Sequence, residues 1–186
     1  QVRDEENLYR NVKSIPWYDY FDVNMPIAVD ATVFSDRFKN SLYIAQKTKD
    51  AIVDRFREKQ GKRPSVELRN PEIRINIHIQ SHHCTVSFDS SGDSLHTRGY
   101  RTEVDRAPMN EVLAAGILSL VDWQGTGPLI DPMCGSGTFL TEAALFASNI
   151  PVNVFRKNYC FQNWKGFDQA LFDTIFEAAI SKENAS

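Results

Sequence analysis

The stretch Gly127-Pro-Leu-Ile-Asp-Pro-Met-Cys-Gly-Ser-Gly-Thr-Phe-Leu140 decides how the second half of this chain is read. Leu129-Ile130 is a brief apolar run between Pro128 and Pro132, too short for a helix, and reads as a buried strand. The chain then passes through Cys134-Gly135-Ser136-Gly137 into Thr138 to Leu145, which has helical spacing. Strand, glycine turn and helix together offer a ligand the free backbone N–H groups of a helix N-terminus. Gly135 and Gly137 can take positive φ without a Cβ penalty and let the backbone approach that ligand. Asp131, at the end of the expected strand, can accept hydrogen bonds from a ligand amine or a water. Two templates fail. A dinucleotide fingerprint needs a third glycine where Leu140 stands, and a phosphate loop needs a lysine that is not there.

A chain of 186 residues can bury a core as one domain or two small ones. No apolar run approaches membrane-spanning length, and no signal-peptide pattern opens the chain. Cys84, Cys134 and Cys160 are odd in number and share no CxxC spacing, which argues against a disulfide framework or zinc site and fits a reducing cytoplasm. The net charge of −3 conceals an asymmetry. Residues 37–69 hold ten Lys and Arg against four acids, while the remainder holds 11 against 20. A basic segment in an acidic protein is a candidate nucleic-acid footprint. The i,i+3 pairs Lys47/Asp50, Asp54/Arg57 and Arg55/Glu58 would occupy only three of those bases.

From the N-terminus, Asp4 to Lys13 places acids first and bases last, with Leu8, Val12 and Ile15 at helical spacing before Pro16. Trp17-Tyr-Asp-Tyr-Phe21 reads as a packed lid, with base stacking as its alternative. Ile27, Val29, Ala31 and Val33 alternate as in a strand. Asn40 or Ser41 caps a helix to about Gln60, with Leu42, Ala45, Ile52, Val53 and Phe56 as its apolar stripe and Gly61 as its stop. Lys47, Lys49, Arg55, Arg57 and Lys59 decorate this helix, and Lys62-Arg63 follow it.

Ile73, Ile75, Ile77 and Ile79 alternate with polar residues as a half-buried strand. Ser81-His82-His83 reads as a turn before a return strand through Cys84, Val86 and Phe88. His78 faces away from the isoleucines, so the histidines and Cys84 are expected to bind no metal. Pro108 suits a helix's first turn, with Val112, Leu113, Ile117, Leu120 and Val121 carrying that helix to about Trp123. Asn158 to Lys165 reads as an aromatic loop. A last helix follows, with Phe167, Leu171, Phe172, Ile175, Phe176 and Ile180 as its stripe, and residues 182–186 form a polar end.

Asp131-Pro-Met-Cys-Gly-Ser-Gly-Thr138 resembles the first motif of class I S-adenosylmethionine-dependent methyltransferases, in the branch that methylates exocyclic amines of nucleobases. Lys47 to Phe56, Gly61-Lys-Arg-Pro64 and the Ile73–Ile79 strand are similar to the RNA-binding THUMP domain of bacterial ribosomal-RNA guanine-N2 methyltransferases. That likeness covers about residues 5–100. Arg98-Gly-Tyr-Arg101 followed by Ala107-Pro108 looks like the beginning of that family's methyltransferase domain, and Asn158–Lys165 resembles its Phe-x-x-Trp segment.

The resemblance implies an α+β THUMP-like domain followed by the first part of an α/β Rossmann-like class I methyltransferase domain. Its divisions would be an opening helix and aromatic linker at 1–22, a THUMP-like domain at 23–97, a linker at 98–106 and the methyltransferase part at 107–186. S-adenosylmethionine would be the cofactor, its methionine end lined by Asp131, Pro132, Met133, Cys134, Gly135, Ser136, Gly137 and Thr138. Lys47, Lys49, Arg55, Arg57, Lys59, Lys62 and Arg63 would bind RNA, and Arg98 and Arg101 would touch RNA or brace the domain joint. The implied substrate is the N2 of a guanine in 23S rRNA, with tRNA guanine N2 or a non-catalytic RNA-binding module as alternatives. DNA adenine-N6 methyltransferases share the motif style, but the basic unit upstream argues against them.

The family's catalytic Asn/Asp-Pro-Pro-aromatic motif is missing, since the chain has no Pro-Pro, and no strand ending in Asp or Glu is expected beyond Leu140. No catalytic residue is therefore assigned. With Gln1 and not Met at its start, the chain reads as a fragment.

Overall fold

A computed structural model describes residues 1–101, 109–156 and 158–182. They form two compact units, Gln1–Gly92 with Tyr159–Phe167, and Asp93–Asn158 with Asp168–Ser186.

In the first unit, α1 (Glu5–Ser14) starts at Asp4, whose carboxylate accepts from the Asn7 N–H at 2.7 Å. Glu5 and Glu6 in its first turn and Lys13 in its last complement the helix dipole. β1 (Ile27–Phe34), β2 (Ile73–Gln80) and β3 (His83–Phe88) form one sheet with β2 in the centre. β1 and β2 are parallel, with Val29 opposite Ile75, so the chain must cross over between them; α2 (Ser41–Gln60) is that crossover. β2 and β3 form an antiparallel hairpin.

Ile73, Ile75, Ile77 and Ile79 are all fully buried, as their alternation requires. They meet Leu8, Val12, Ile44, Ile52 and Phe56 in one core. The aromatic segment is the expected lid: Trp17 and Phe21 are 1% and 0% exposed, and the Trp17 Nε1–H donates to the Val12 carbonyl at 2.9 Å. Burial of each such side chain contributes about 1.5–3 kcal/mol.

Asn40 caps α2 by accepting from the Tyr43 N–H, and Gly61 ends it at φ +67°. Leu42 does not join the stripe. It is 66% exposed on the first turn, and Ile44 fills the core there instead. His83 is not a turn residue either: it pairs with Gln80, leaving Ser81-His82 as the turn, with Ser81 at φ +53°. His78 packs its ring against Phe34, with centroids 5.8 Å apart.

Tyr159–Phe167 belongs to this unit although it lies late in sequence. The Lys165 N–H donates to the Tyr20 carbonyl at 2.9 Å, its Nζ to the Tyr18 carbonyl at 2.7 Å, and Asn163 Nδ2 to the Glu72 carbonyl at 3.0 Å. The Trp164 ring lies 5.6 Å from Phe88.

The second unit contains α3 (Glu111–Leu120), α4 (Thr138–Ala147) and α5 (Gln169–Ile180), with no strand among its described residues. Leu129-Ile130 is therefore not the buried strand expected: it is irregular, and Ile130 is 83% exposed. A strand exists only when paired, and no described segment of this unit offers a partner. α3 opens after Asn110, whose side chain accepts from the Val112 and Leu113 N–H groups; Pro108 lies outside the described residues. Its buried face is Glu111, Ala114 and Leu118, while Val112, Leu113, Leu120 and Val121 of the expected stripe are exposed. α5 buries none of its residues fully; Leu171 and Ile175 are exposed, and Phe167 lies outside the helix, in the first unit. Residues 183–186 of the expected polar end lie outside the described residues.

Candidate cofactor loop and basic surface

Residues 131–138 form a tight loop that delivers the chain into α4. Asp131 Oδ1 accepts from the Met133 N–H at 3.0 Å, and the Gly137 N–H donates to the Cys134 carbonyl at 2.8 Å. Gly135 and Gly137 stand at φ +53° and +74°. A Cβ at either would meet nothing within 4 Å, so the glycines answer to backbone conformation and leave an open face. Gly137 is the N-cap of α4 and supplies no capping side chain. The first N–H groups of α4 thus remain available to an acceptor from outside the helix. Pro132, Met133, Cys134 and Ser136 are exposed around this face, Asp131 half-buried beside it, and Thr138 buried beneath it.

Arg98 and Arg101 lie beneath the loop in the second unit and offer no free guanidinium. Arg98 is 8% exposed; its Nε lies 3.4 Å from Glu142 Oε1 and its Nη2 donates to Oε2 at 3.5 Å. Tyr100 donates its hydroxyl to the same carboxylate at 2.9 Å. Burial first, and then this bond, push the Tyr100 phenol well above the usual tyrosine range. Arg101 Nη2 donates to Thr138 Oγ1 at 2.8 Å and to the Met109 carbonyl at 3.2 Å, and pairs with Glu111 at 3.2 Å. Tyr100, Glu111 and Glu142 were not singled out as site residues from sequence. Two acids on the buried faces of otherwise apolar helices were the available signal.

In the first unit the bases divide into two sets. Lys47 pairs with Glu6 at 3.2 Å and lies 4.9 Å from the Tyr9 ring centroid. The bond to Glu6 raises its ammonium above the usual lysine range. Arg55 lies over the Tyr18 ring at 5.7 Å. Both hold α2 to its neighbours. Lys49 and Arg57 pair on the surface with Asp50 and Asp54. Lys59, Lys62 and Arg63 are exposed. Lys49, Arg57 and Arg63 border a groove of about 410 Å³ with Val53 and Pro64. Among the described residues no group of three or more His, Cys, Asp or Glu is placed to hold a metal. None of the described helices is long and apolar enough to cross a membrane.

Residues 2–89 match the THUMP domain, and residues 98–185 match the RMKL-like methyltransferase domain. The ribosomal RNA large subunit methyltransferase K/L of Psychromonas ingrahamii is 42% identical over 179 residues, which are 96% of this chain and 24% of that protein. The structure of SMU.472 complexed with SAH superposes with a TM-score of 0.85 at 32% identity, over 100% of this chain and 49% of that one. A Listeria monocytogenes protein, described as a predicted N6-adenine-specific DNA methylase, superposes with a TM-score of 0.84 at 27% identity, over 97% of this chain and 47% of that one. The chain thus spans about half the length of these solved structures and about a quarter of the ribosomal relative. The expected fold class holds, an α+β THUMP domain followed by part of a class I methyltransferase domain, and the chain belongs with the proteins that join a THUMP domain to an RMKL-like methyltransferase domain.

Proposed function

We propose that the protein, at the length its relatives have, transfers a methyl group from S-adenosylmethionine to the exocyclic N2 of a guanine in 23S rRNA. The observation that carries this reading is the open glycine loop at the uncapped N-terminus of α4, matched to a neighbour that holds SAH. Bound there, S-adenosylmethionine supplies an electrophilic sulfonium methyl. Asp131, Gly135 and Ser136 would hold it directly, with the loop and helix N–H groups and the Ser136 hydroxyl for its anionic part and the Asp131 carboxylate for its amine, while Gly137 sets the turn and Thr138 backs Ser136 from beneath. Pro132, Met133 and Cys134 shape the loop's outer wall.

The basic end of α2 would bring RNA by phosphate contacts, with Lys49, Arg57, Lys59, Lys62 and Arg63 as donors. Lys47 and Arg55 support the helix from within the unit. The ribosomal substrate is supported by the name of the Psychromonas relative, and guanine N2 by the motif's likeness to exocyclic-amine methyltransferases. A reducing cytoplasm suits this chemistry, and no disulfide joins Cys84, Cys134 and Cys160.

This chain is expected to bind the cofactor weakly or not at all, so calorimetric titration of SAH into the full-length protein and into its Gly135→Val variant tests the loop. Valine is strained at φ +53°, so binding should be present in the parent and lost in the variant. Equal binding by both would remove the loop from the site. With the full-length protein, mass spectrometry of digested RNA should find N2-methylguanosine in a 23S fragment; methylation of tRNA alone, or of adenine, would overturn the substrate assignment.

A further inference from the structure

The geometry points to Arg98-Gly-Tyr-Arg101 as a clamp on the first two turns of α4, with Arg101 the positioning residue that orients the Ser136 and Thr138 hydroxyls of the cofactor loop. The inference deepens the cofactor reading above and rests on it. Thr138 and Glu142 are four residues apart and so lie on one face of α4. Arg98 and Tyr100 converge on Glu142, while Arg101 takes Thr138, so the short segment grips the helix at two successive turns. Gly99 makes the grip possible. It stands at φ +91°, and a Cβ there would lie 3.1 Å from the Phe155 carbonyl oxygen.

Arg101 does more than fill space. Its guanidinium lies at the N-termini of both α3 and α4, touching the Met109 carbonyl on one side and Thr138 on the other. Both helix ends carry partial positive charge, so a half-buried cation there calls for a counter-charge. Glu111, with its side chain 7% exposed, provides it at 3.2 Å. Because a guanidinium only donates, Thr138 Oγ1 must accept from it. Ser136 Oγ lies 3.2 Å from Thr138 Oγ1, a pair in which either hydroxyl can donate; donation by Thr138, the direction this proposal takes, leaves the Ser136 proton for the loop's open face. In that direction the donors run from Arg101 to Thr138 to Ser136 and end where an anionic ligand group would be received. All three contacts converge on one nitrogen, Nη2, so a lysine would keep the charge opposite Glu111 and lose only the reach and fixed direction of that group.

The test uses the full-length protein with Arg101→Met, Thr138→Val, their double variant and Arg101→Lys. Two readouts are needed: amide hydrogen exchange and SAH affinity by calorimetry. Arg101→Met should speed exchange across residues 134–141 about tenfold and leave β1, β2 and β3 unchanged, which a general loss of stability would not do. It should weaken SAH about tenfold, with Arg101→Lys intermediate. The double variant should be no weaker than Arg101→Met alone, because both changes cut one chain of donors. Unchanged exchange in the loop, or single-variant losses that multiply in the double variant, would overturn the proposal. If the parent chain binds no SAH while its loop exchange responds to Arg101→Met, the clamp is upheld and the cofactor reading fails.

Discussion

The isoleucines of β2 and the apolar residues of α3 meet opposite fates. Both sets have the spacing of an amphipathic element. Ile73, Ile75, Ile77 and Ile79 are fully buried, whereas Val112, Leu113 and Leu120 are 51%, 57% and 87% exposed. The first unit brings two helices and an aromatic lid over its sheet, so its stability rests on packed hydrocarbon. The described part of the second unit fully buries few apolar side chains and adds buried polar groups at Arg98, Glu111, Thr138 and Glu142. The contrast teaches that periodicity marks a face fit for burial, while burial itself needs a partner that the element's own sequence does not carry.

The sharpest way to break this comparison is to damage each unit in its own manner. Phe56→Ala removes a fully buried ring whose centroid lies 5.1 Å from that of Phe21, and should cost the first unit about 4 kcal/mol in urea unfolding. A loss below about 1 kcal/mol would mean that this core is looser than its burial indicates. Glu142→Ala strands Arg98 as an unpaired buried cation and should cost the second unit about 3 kcal/mol, followed by hydrogen exchange in α4. Little change there would mean that apolar contacts, and not the ion pair, hold this helix.

Much of the first unit can be read locally. Asn40 and Gly61 bound α2 through their own backbone preferences, and the alternating isoleucines specify a half-buried strand without knowledge of any neighbour. The glycine loop is equally local, since positive φ at residues 135 and 137 is a property of the turn. What could not be read depends on distant partners. Spacing offers Lys47 a partner in Asp50 three residues away, yet it reaches Glu6, 41 residues back. Spacing likewise offers Glu58 to Arg55, but Lys13 takes it. Arg98 finds Glu142 across 44 residues, and Trp164 returns to Phe88 from far along the chain. The Leu129-Ile130 reading failed for the same reason: a strand's composition is local, but its hydrogen-bond partner is not.

A smaller effect sharpens the polar half of the comparison. Tyr100→Phe removes one charge-assisted hydrogen bond to Glu142 and should cost about 2 kcal/mol near neutral pH. The phenol's folded pKa lies above its ordinary value of 10.0, so the neutral form is the one that stabilises. Its contribution is complete below that ordinary value and declines only as pH rises toward the raised one. Stability of the parent and of Tyr100→Phe, compared at pH 8 and pH 11, should therefore show a gap that narrows at the higher pH. A gap that widens there would give the proton linkage the wrong sign and remove the phenol from the network.

The smallest expected effect is the most discriminating for the apolar half. Ile130→Thr and Leu120→Ser replace side chains that are 83% and 87% exposed, and each should change the stability of this chain by less than about 0.5 kcal/mol. The same substitutions made in the full-length protein separate two accounts of those residues. If they form part of a core completed by further chain, each should there cost about 1–3 kcal/mol, the transfer free energy of a buried aliphatic side chain. If the loss stays near zero at both lengths, the exposed face of α3 and the 128–131 segment are surface in the whole protein as well. The α3 stripe would then have been misread as a burial signal, and the contrast between the two units would be a property of the protein and not of the stretch of chain described.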